Sequence, residues 1–176
     1  MSTTRLVKAK LIPKVPAQGV DTIEFMFNPT KLSFSRSVQI NAPQGARTAR
    51  GLPKVSFQSI DPYKLTISEI LFDTYEEGTS VLWYINKLKK AVEFPDGQDV
   101  PPVYVFTWGA QEYLRCFVQS LSYELTMFLP DGTPVRASAS LTLHEVDVLI
   151  PPGSPEAPSS VNRVGESRGS KTRKAT

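Results

Sequence analysis

Chemistry-bearing side chains are scarce in this chain. Its 176 residues include one cysteine, Cys116, and one histidine, His144. An internal disulfide is therefore impossible, and no Cys-x-x-Cys pair or Cys/His spacing is present that would hold zinc. Such cysteine usage fits a reducing compartment. There is also no Gly-x-Ser-x-Gly elbow, no Gly-x-Gly-x-x-Gly turn, no Walker loop and no His-Glu-x-x-His. No stretch approaches the roughly 20 apolar residues of a membrane span. Met1-Ser2-Thr3-Thr4-Arg5 leads straight into an alternating segment without the apolar core of a leader. The expectation is a protein made and kept in cytosol.

Charge of one sign is missing from most of the chain as well. The net charge of +3 is carried by residues 151–176, where Arg163, Arg168, Lys171, Arg173 and Lys174 face only Glu156 and Glu166. The first 150 residues are neutral overall and offer no electrostatic footprint for nucleic acid. These proportions predict a folded domain over residues 1–150 and a flexible basic tail, rich in Pro, Ser and Gly, over residues 151–176. The tail reads either as a solvated terminus or as a short basic arm on an anionic partner.

What the chain does have is alternation. Leu121, Tyr123, Leu125, Met127 and Leu129 share one face of a strand, and Pro130-Asp131-Gly132 turns the chain back. Val135, Ala137, Ala139, Leu141 and Leu143 then share one face, with Arg136, Ser138, Ser140 and Thr142 opposite. Further strand signals run over Leu6 to Ile12, Ile23 to Phe27, Lys31 to Ile40, Val55 to Phe57, Tyr63 to Phe72, Val103 to Trp108 and Tyr113 to Val118. Phe25 and Phe27 are expected to face one way. In the third of these, Leu32, Phe34, Val38 and Ile40 alternate with serines, and only Arg36 breaks the apolar set. Along Tyr63 to Phe72, Leu65, Ile67 and Leu71 share one face and Ile70 and Phe72 the other.

One helix is predicted, capped by Thr79 or Ser80, with Val81, Ile85, Leu88 and Val92 inward and Lys87, Lys89 and Lys90 at its carboxyl end. Trp83 and Tyr84 broaden its apolar stripe. The fold class is therefore mainly β: an antiparallel β-barrel or sandwich of eight to ten strands with one flanking α-helix. Residues 41–53 lack periodicity and form a loop long enough to suggest a function.

The candidates for chemistry each have a plainer reading. His144 falls on the polar side of the last strand. Cys116 alternates with Leu114 and Val118 as a small buried hydrophobe. Asp73, Glu76 and Glu77 form the densest acidic group, but they precede the helix, where carboxylates complement its dipole. Asp96-Gly97 and Asp131-Gly132 lack the alternating oxygen ligands of a calcium loop. Trp83 and Trp108 read as core. No catalytic residue, metal ligand or cofactor-binding residue is assigned, and the chain does not read as an enzyme.

Four segments are recognisable together. Phe25 to Arg36 reads Phe-Met-Phe-Asn-Pro-Thr-Lys-Leu-Ser-Phe-Ser-Arg, and Leu71 to Gly78 reads Leu-Phe-Asp-Thr-Tyr-Glu-Glu-Gly. Pro102 to Gly109 reads Pro-Val-Tyr-Val-Phe-Thr-Trp-Gly, and the hairpin from Phe128 to Ala137 follows. In this order they resemble the tube-type domain of contractile injection systems, phage-tail-like particles that drive an inner tube through a target membrane, over about residues 5–147.

The resemblance implies a tail-tube-like fold assembled as a sixfold homo-oligomeric ring, and a structural role at the baseplate joining the spike to the inner tube. The implied partners are the spike or hub protein, inner-tube subunits and other baseplate proteins. No cofactor, nucleic acid or stable membrane insertion is implied. The expected location is the bacterial cytoplasm during assembly, within a particle that is cytoplasmic, membrane-anchored or released. The most similar members usually continue into a LysM module, whereas Pro151-Pro152-Gly153 here leads into the basic tail with no LysM pattern.

Within such a ring, Ser33, Ser35, Ser37, Arg136 and Ser138 are candidate subunit-interface or bore-lining residues, and Arg47 and Arg50 mark the loop that would reach a neighbour. The alternatives are a main inner-tube subunit, a small-ligand β-barrel or hydrolase, and a cell-wall-binding module.

Overall fold

The computed structural model describes residues 6–15, 20–41, 45, 47–52 and 54–147. The tail expected over residues 151–176, and part of the 41–53 loop, lie outside the described residues. The described chain forms β1 (Ala9–Pro13), β2 (Ile23–Glu24), β3 (Ser33–Ser35), β4 (Val38–Asn41), β5 (Ser56–Ile60) and β6 (Lys64–Asp73). Helix α1 (Leu82–Val92) follows, then β7 (Tyr104–Trp108), β8 (Gln111–Phe128) and β9 (Pro134–Glu145). Seven strands make one antiparallel sheet in the order β2-β1-β7-β8-β9-β6-β3, and β4 pairs with β5 alone. The larger sheet curls into a half-barrel. The expected mainly β fold with one flanking helix is therefore what the chain adopts.

Strand β9 follows its sequence pattern without a slip: Val135, Ala137, Ala139, Leu141 and Leu143 are all buried. The small side chains at 137 and 139 leave room for α1, whose Ile85, Leu88 and Ala91 are fully buried in the same core together with Val81 just before it. The turn into β9 is built as its sequence suggests. Asp131 Oδ1 accepts the Thr133 amide at 3.0 Å and Leu129 N donates to Thr133 O at 2.8 Å. Gly132 takes φ +86°, a conformation costly to residues with a Cβ. Those hydrogen bonds to Thr133, backbone first, hold the Asp131 carboxyl below its usual pKa.

Bulges displace the alternation elsewhere. In β6 the register against β9 shifts between Ile67 and Ile70, and Glu69 has φ +57°. The inserted residue brings Ile70 and Phe72 onto the face of Leu65 and Ile67 and turns Leu71 outward, contrary to the expected split. In β8 a shift between Leu125 and Met127 sets Met127 opposite Arg136, off the apolar face expected for it.

The segment read as one strand from Lys31 to Ile40 is two, β3 in the main sheet and β4 in the ribbon. Its apolar side is covered at one end only: Leu32 packs against the core, while Phe34, Val38 and Ile40 are exposed. Likewise β2 ends at Glu24, so the chain turns and separates Phe25, which is buried against Phe106 with ring centroids 6.1 Å apart, from the exposed Phe27.

The helix starts one residue later than its expected cap. Val81 is the N-cap and makes no side-chain cap bond, while Ser80 Oγ accepts the Leu82 amide at 3.3 Å. No acidic residue lies in the first turn, so Asp73, Glu76 and Glu77 do not serve the dipole as expected. The preceding turn is instead tied to β9: Thr74 N donates to Val135 O, Thr74 Oγ1 donates to Thr79 O, and Val81 N donates to Pro134 O. Tyr84 packs on Phe72, but Trp83 is 59% exposed, not core.

Candidate assembly surface

With α1 and the core on one side, the other side of the main sheet carries the residues between the buried positions. The strand register places them in rows. Ser33, Thr66, Thr142 and Ser120 stand side by side across β3, β6, β9 and β8. A second row contains Ser35, Lys64, His144 and Phe117, with the His144 and Phe117 rings 5.4 Å apart. Ser140 faces Ser122, and Ser138 faces Glu124. The hydroxyls wet this face, and Lys64, Glu124 and the Arg136–Asp73 pair add its charged points.

Of the seven candidate interface residues, Ser33, Ser35, Arg136 and Ser138 share this face. Arg136 is not free there, because Asp73 Oδ2 accepts bonds from its Nη2 at 2.6 Å and its Nε at 2.9 Å. Ser37 lies beyond the sheet, where its Oγ donates to Asp61 Oδ2 at 2.9 Å. Arg47 and Arg50 lie in the ribbon loop, with Arg47 Nη1 donating to Gly51 O at 2.8 Å.

Two features escaped the sequence reading. The first is Asp61, which joins the ribbon to the sheet. Its carboxylate accepts bonds from Gln39 and Ser37, its amide donates to Ser37 O, and its carbonyl accepts the Arg36 Nε proton at 2.9 Å. The Gln39 and Ser37 hydrogen bonds hold the carboxyl below the usual aspartate range. Arg36 also lies 4.6 Å over the Tyr63 ring. The second is the ribbon itself, in which Val38 lies opposite Ile60 and Ile40 opposite Phe57, with Phe57 78% exposed. An isolated two-stranded ribbon is marginal in water, and this one covers little of its own apolar surface.

The remaining surface has a cleft of about 390 Å³ between β2 and α1, lined by Ile23, Met26, Phe72, Trp83, Tyr84 and Lys87 among others. Cys116 is buried, and desolvation pushes its thiol up to about 12, so it offers no thiolate. Among the described residues no group of three or more His, Cys, Asp or Glu gathers as a metal cage. Among them too, no helix is long and apolar enough to cross a membrane, which says nothing about strands.

Among the described residues, the outermost strands β2 and β3 each have a partner strand on one side only. No curated protein compared with the chain matches it. The family described as contractile injection system tube protein matches residues 6–148, which spans every strand and the helix. The chain belongs to the contractile injection system tube protein family, whose members are structural components of an oligomeric injection particle.

Proposed function

We propose that this protein forms a ring, six copies in number, at the baseplate of a contractile injection particle and joins the spike to the inner tube. The observation that supports the reading is the open sheet: β2 and β3 are its outer strands, one face carries the core and α1, and the other carries rows of hydroxyls with Lys64, Glu124 and Arg136 among them. Head-to-tail pairing of β3 in one copy with β2 in the next satisfies both outer edges and turns the hydroxyl face toward a common bore. Its partners in this reading are the spike or hub protein, inner-tube subunits and other baseplate proteins, and its role is structural, not enzymatic. Assembly takes place in the bacterial cytoplasm. Residues 1–150 are the ring-forming domain and residues 151–176 a basic tail outside it.

Purified protein, alone or with tube partners, is expected to give rings by electron microscopy. A stable monomer that never joins particles overturns the proposal. The family match to a tube protein favours a second reading as the main inner-tube subunit. Copy number separates the two, a few per particle for the baseplate ring and many dozens for the tube.

A small-ligand barrel needs an enclosed apolar pocket. Leu65, Ile67, Ile85, Leu88 and Leu141, each 0% exposed, fill the space between sheet and helix instead.

A further inference from the structure

We propose that the surface around Trp83, from the cleft between β2 and α1 to the outer side of the helix, docks an acidic segment of a partner protein, one that presents an aromatic or large aliphatic anchor between carboxylates. The inference goes beyond the ring reading and does not depend on it. Helix α1 packs on the core side of the sheet, so this surface lies opposite the hydroxyl face.

The place for the anchor is preformed. Phe25 and Phe72, both buried, floor the cleft, and Met26 lies beside them with its Sδ accepting the Asp73 amide at 3.2 Å. Tyr84 is held between neighbours, stacked on Phe72 with ring centroids 5.4 Å apart and edge-on to Trp83 at 4.8 Å. Trp83 is the open wall, exposed where the other rings are covered or half-covered. A fixed apolar floor beside one exposed indole, in a space of about 390 Å³, suits a single large side chain and the backbone on either side of it.

The charge around that place selects what flanks the anchor. The cleft is lined by Lys8 and Lys87 against Glu24, and Glu24 is already answered by Lys10, whose Nζ is 2.6 Å from its Oε2. Across Trp83, a second depression is lined by Lys87, Lys89 and Lys90 against Asp21 and Glu93. With Lys10 included, five lysines meet three carboxylates, a local excess of two positive charges on a domain whose first 150 residues are neutral. Lys87 lies 4.0 Å over the Trp83 ring and Lys89 5.2 Å over Tyr123, contacts that position both side chains and leave their charge in place. Carboxylates on either side of an apolar residue reach these lysines while the residue fills the cleft. The three carboxylates repel a phosphodiester backbone, and one exposed indole on the outer side of α1 is too little apolar area to hold a lipid surface.

The test selects a random display library of short peptides on the purified full chain and measures the enriched peptides in solution by fluorescence anisotropy. Peptides with an aromatic or large aliphatic residue next to Asp or Glu are the expected class, and their binding weakens as salt is raised. Trp83→Ala and Lys87→Glu, neither in the core, are each expected to keep the thermal unfolding of the parent and to weaken that binding about tenfold, as loss of a single anchor does. Selection repeated on Lys87→Glu is expected to exchange a carboxylate of the class for Lys or Arg, which a merely structural effect of the substitution does not produce. The absence of any enriched class, a class without carboxylates, or binding unchanged in either variant overturns the proposal. Phosphatidylglycerol vesicles or a single-stranded oligonucleotide that bind through Trp83 in place of peptides overturn it equally. The ring reading, tested by electron microscopy, stands or falls apart from these results.

Discussion

Arg136 and Asp73 face each other across β9 and β6, with both guanidinium bonds converging on Asp73 Oδ2 at 2.6 and 2.9 Å. The pair fastens the start of β9 to the end of β6, beside the turn that leads into α1. The Tyr75 amide, and then Arg136, hold the Asp73 carboxyl below its usual pKa. A carboxylate with a depressed pKa stabilises the fold in full above its unfolded value, about 4, and loses that contribution as pH falls through the folded value. Asp73→Asn is expected to be less stable than the parent at pH 7, with the difference closing as the pH drops below about 4. Denaturant titrations of both proteins across that range give the check.

Asp61 gathers Ser37, Gln39 and Arg36 at the joint between sheet and ribbon. Asp61→Asn removes the charge from the strongest of these bonds. Faster amide exchange confined to residues 38–60, with β8 and β9 unchanged, is the expected outcome by hydrogen-exchange mass spectrometry. Faster exchange throughout the sheet contradicts a local joint.

The two sides of β9 differ in what they contribute. Leu141→Ala opens a cavity in a site with 0% exposure and is expected to cost about 2–5 kcal/mol. Ser140→Ala, on the hydroxyl face, is expected to stay within about 0.5 kcal/mol in the isolated chain. Guanidinium denaturation of the two variants measures both.

Cys116 sits in the core with its thiol pKa raised to about 12. A thiol-specific chromogenic reagent at pH 8 is expected to leave the folded chain unlabelled over minutes and to label its one cysteine in denaturant. Rapid labelling of the native chain contradicts the packing described here.

The sequence made most of the sheet legible because the core face of β9 and the first half of β6 keep strict period-two alternation, which one chain displays without help from its neighbours. The β6 bulge at Ser68-Glu69 was hidden, since a single inserted residue in a run of apolar side chains leaves two faces equally plausible until the partner register is known. Phe25 and Phe27 were placed together for the same reason, strand periodicity extended past the point where the chain turns. The exposed row of Phe34, Val38 and Ile40 looked half-buried because alternation reports which residues share a side, not what covers that side. Asp61 was illegible altogether. Its partners lie 22 to 25 residues away in sequence, and no local pattern marks a side chain that pins two strand pairs at their junction.

Cryo-electron microscopy of injection particles containing a tagged copy of this chain tests the central claim most directly. A closed ring at the baseplate is expected, with Ser122 and Ser140 turned to the bore, α1 turned outward, and β3 of each copy beside β2 of the next. A tag found away from the axis, or a ring with α1 facing the bore, contradicts the account.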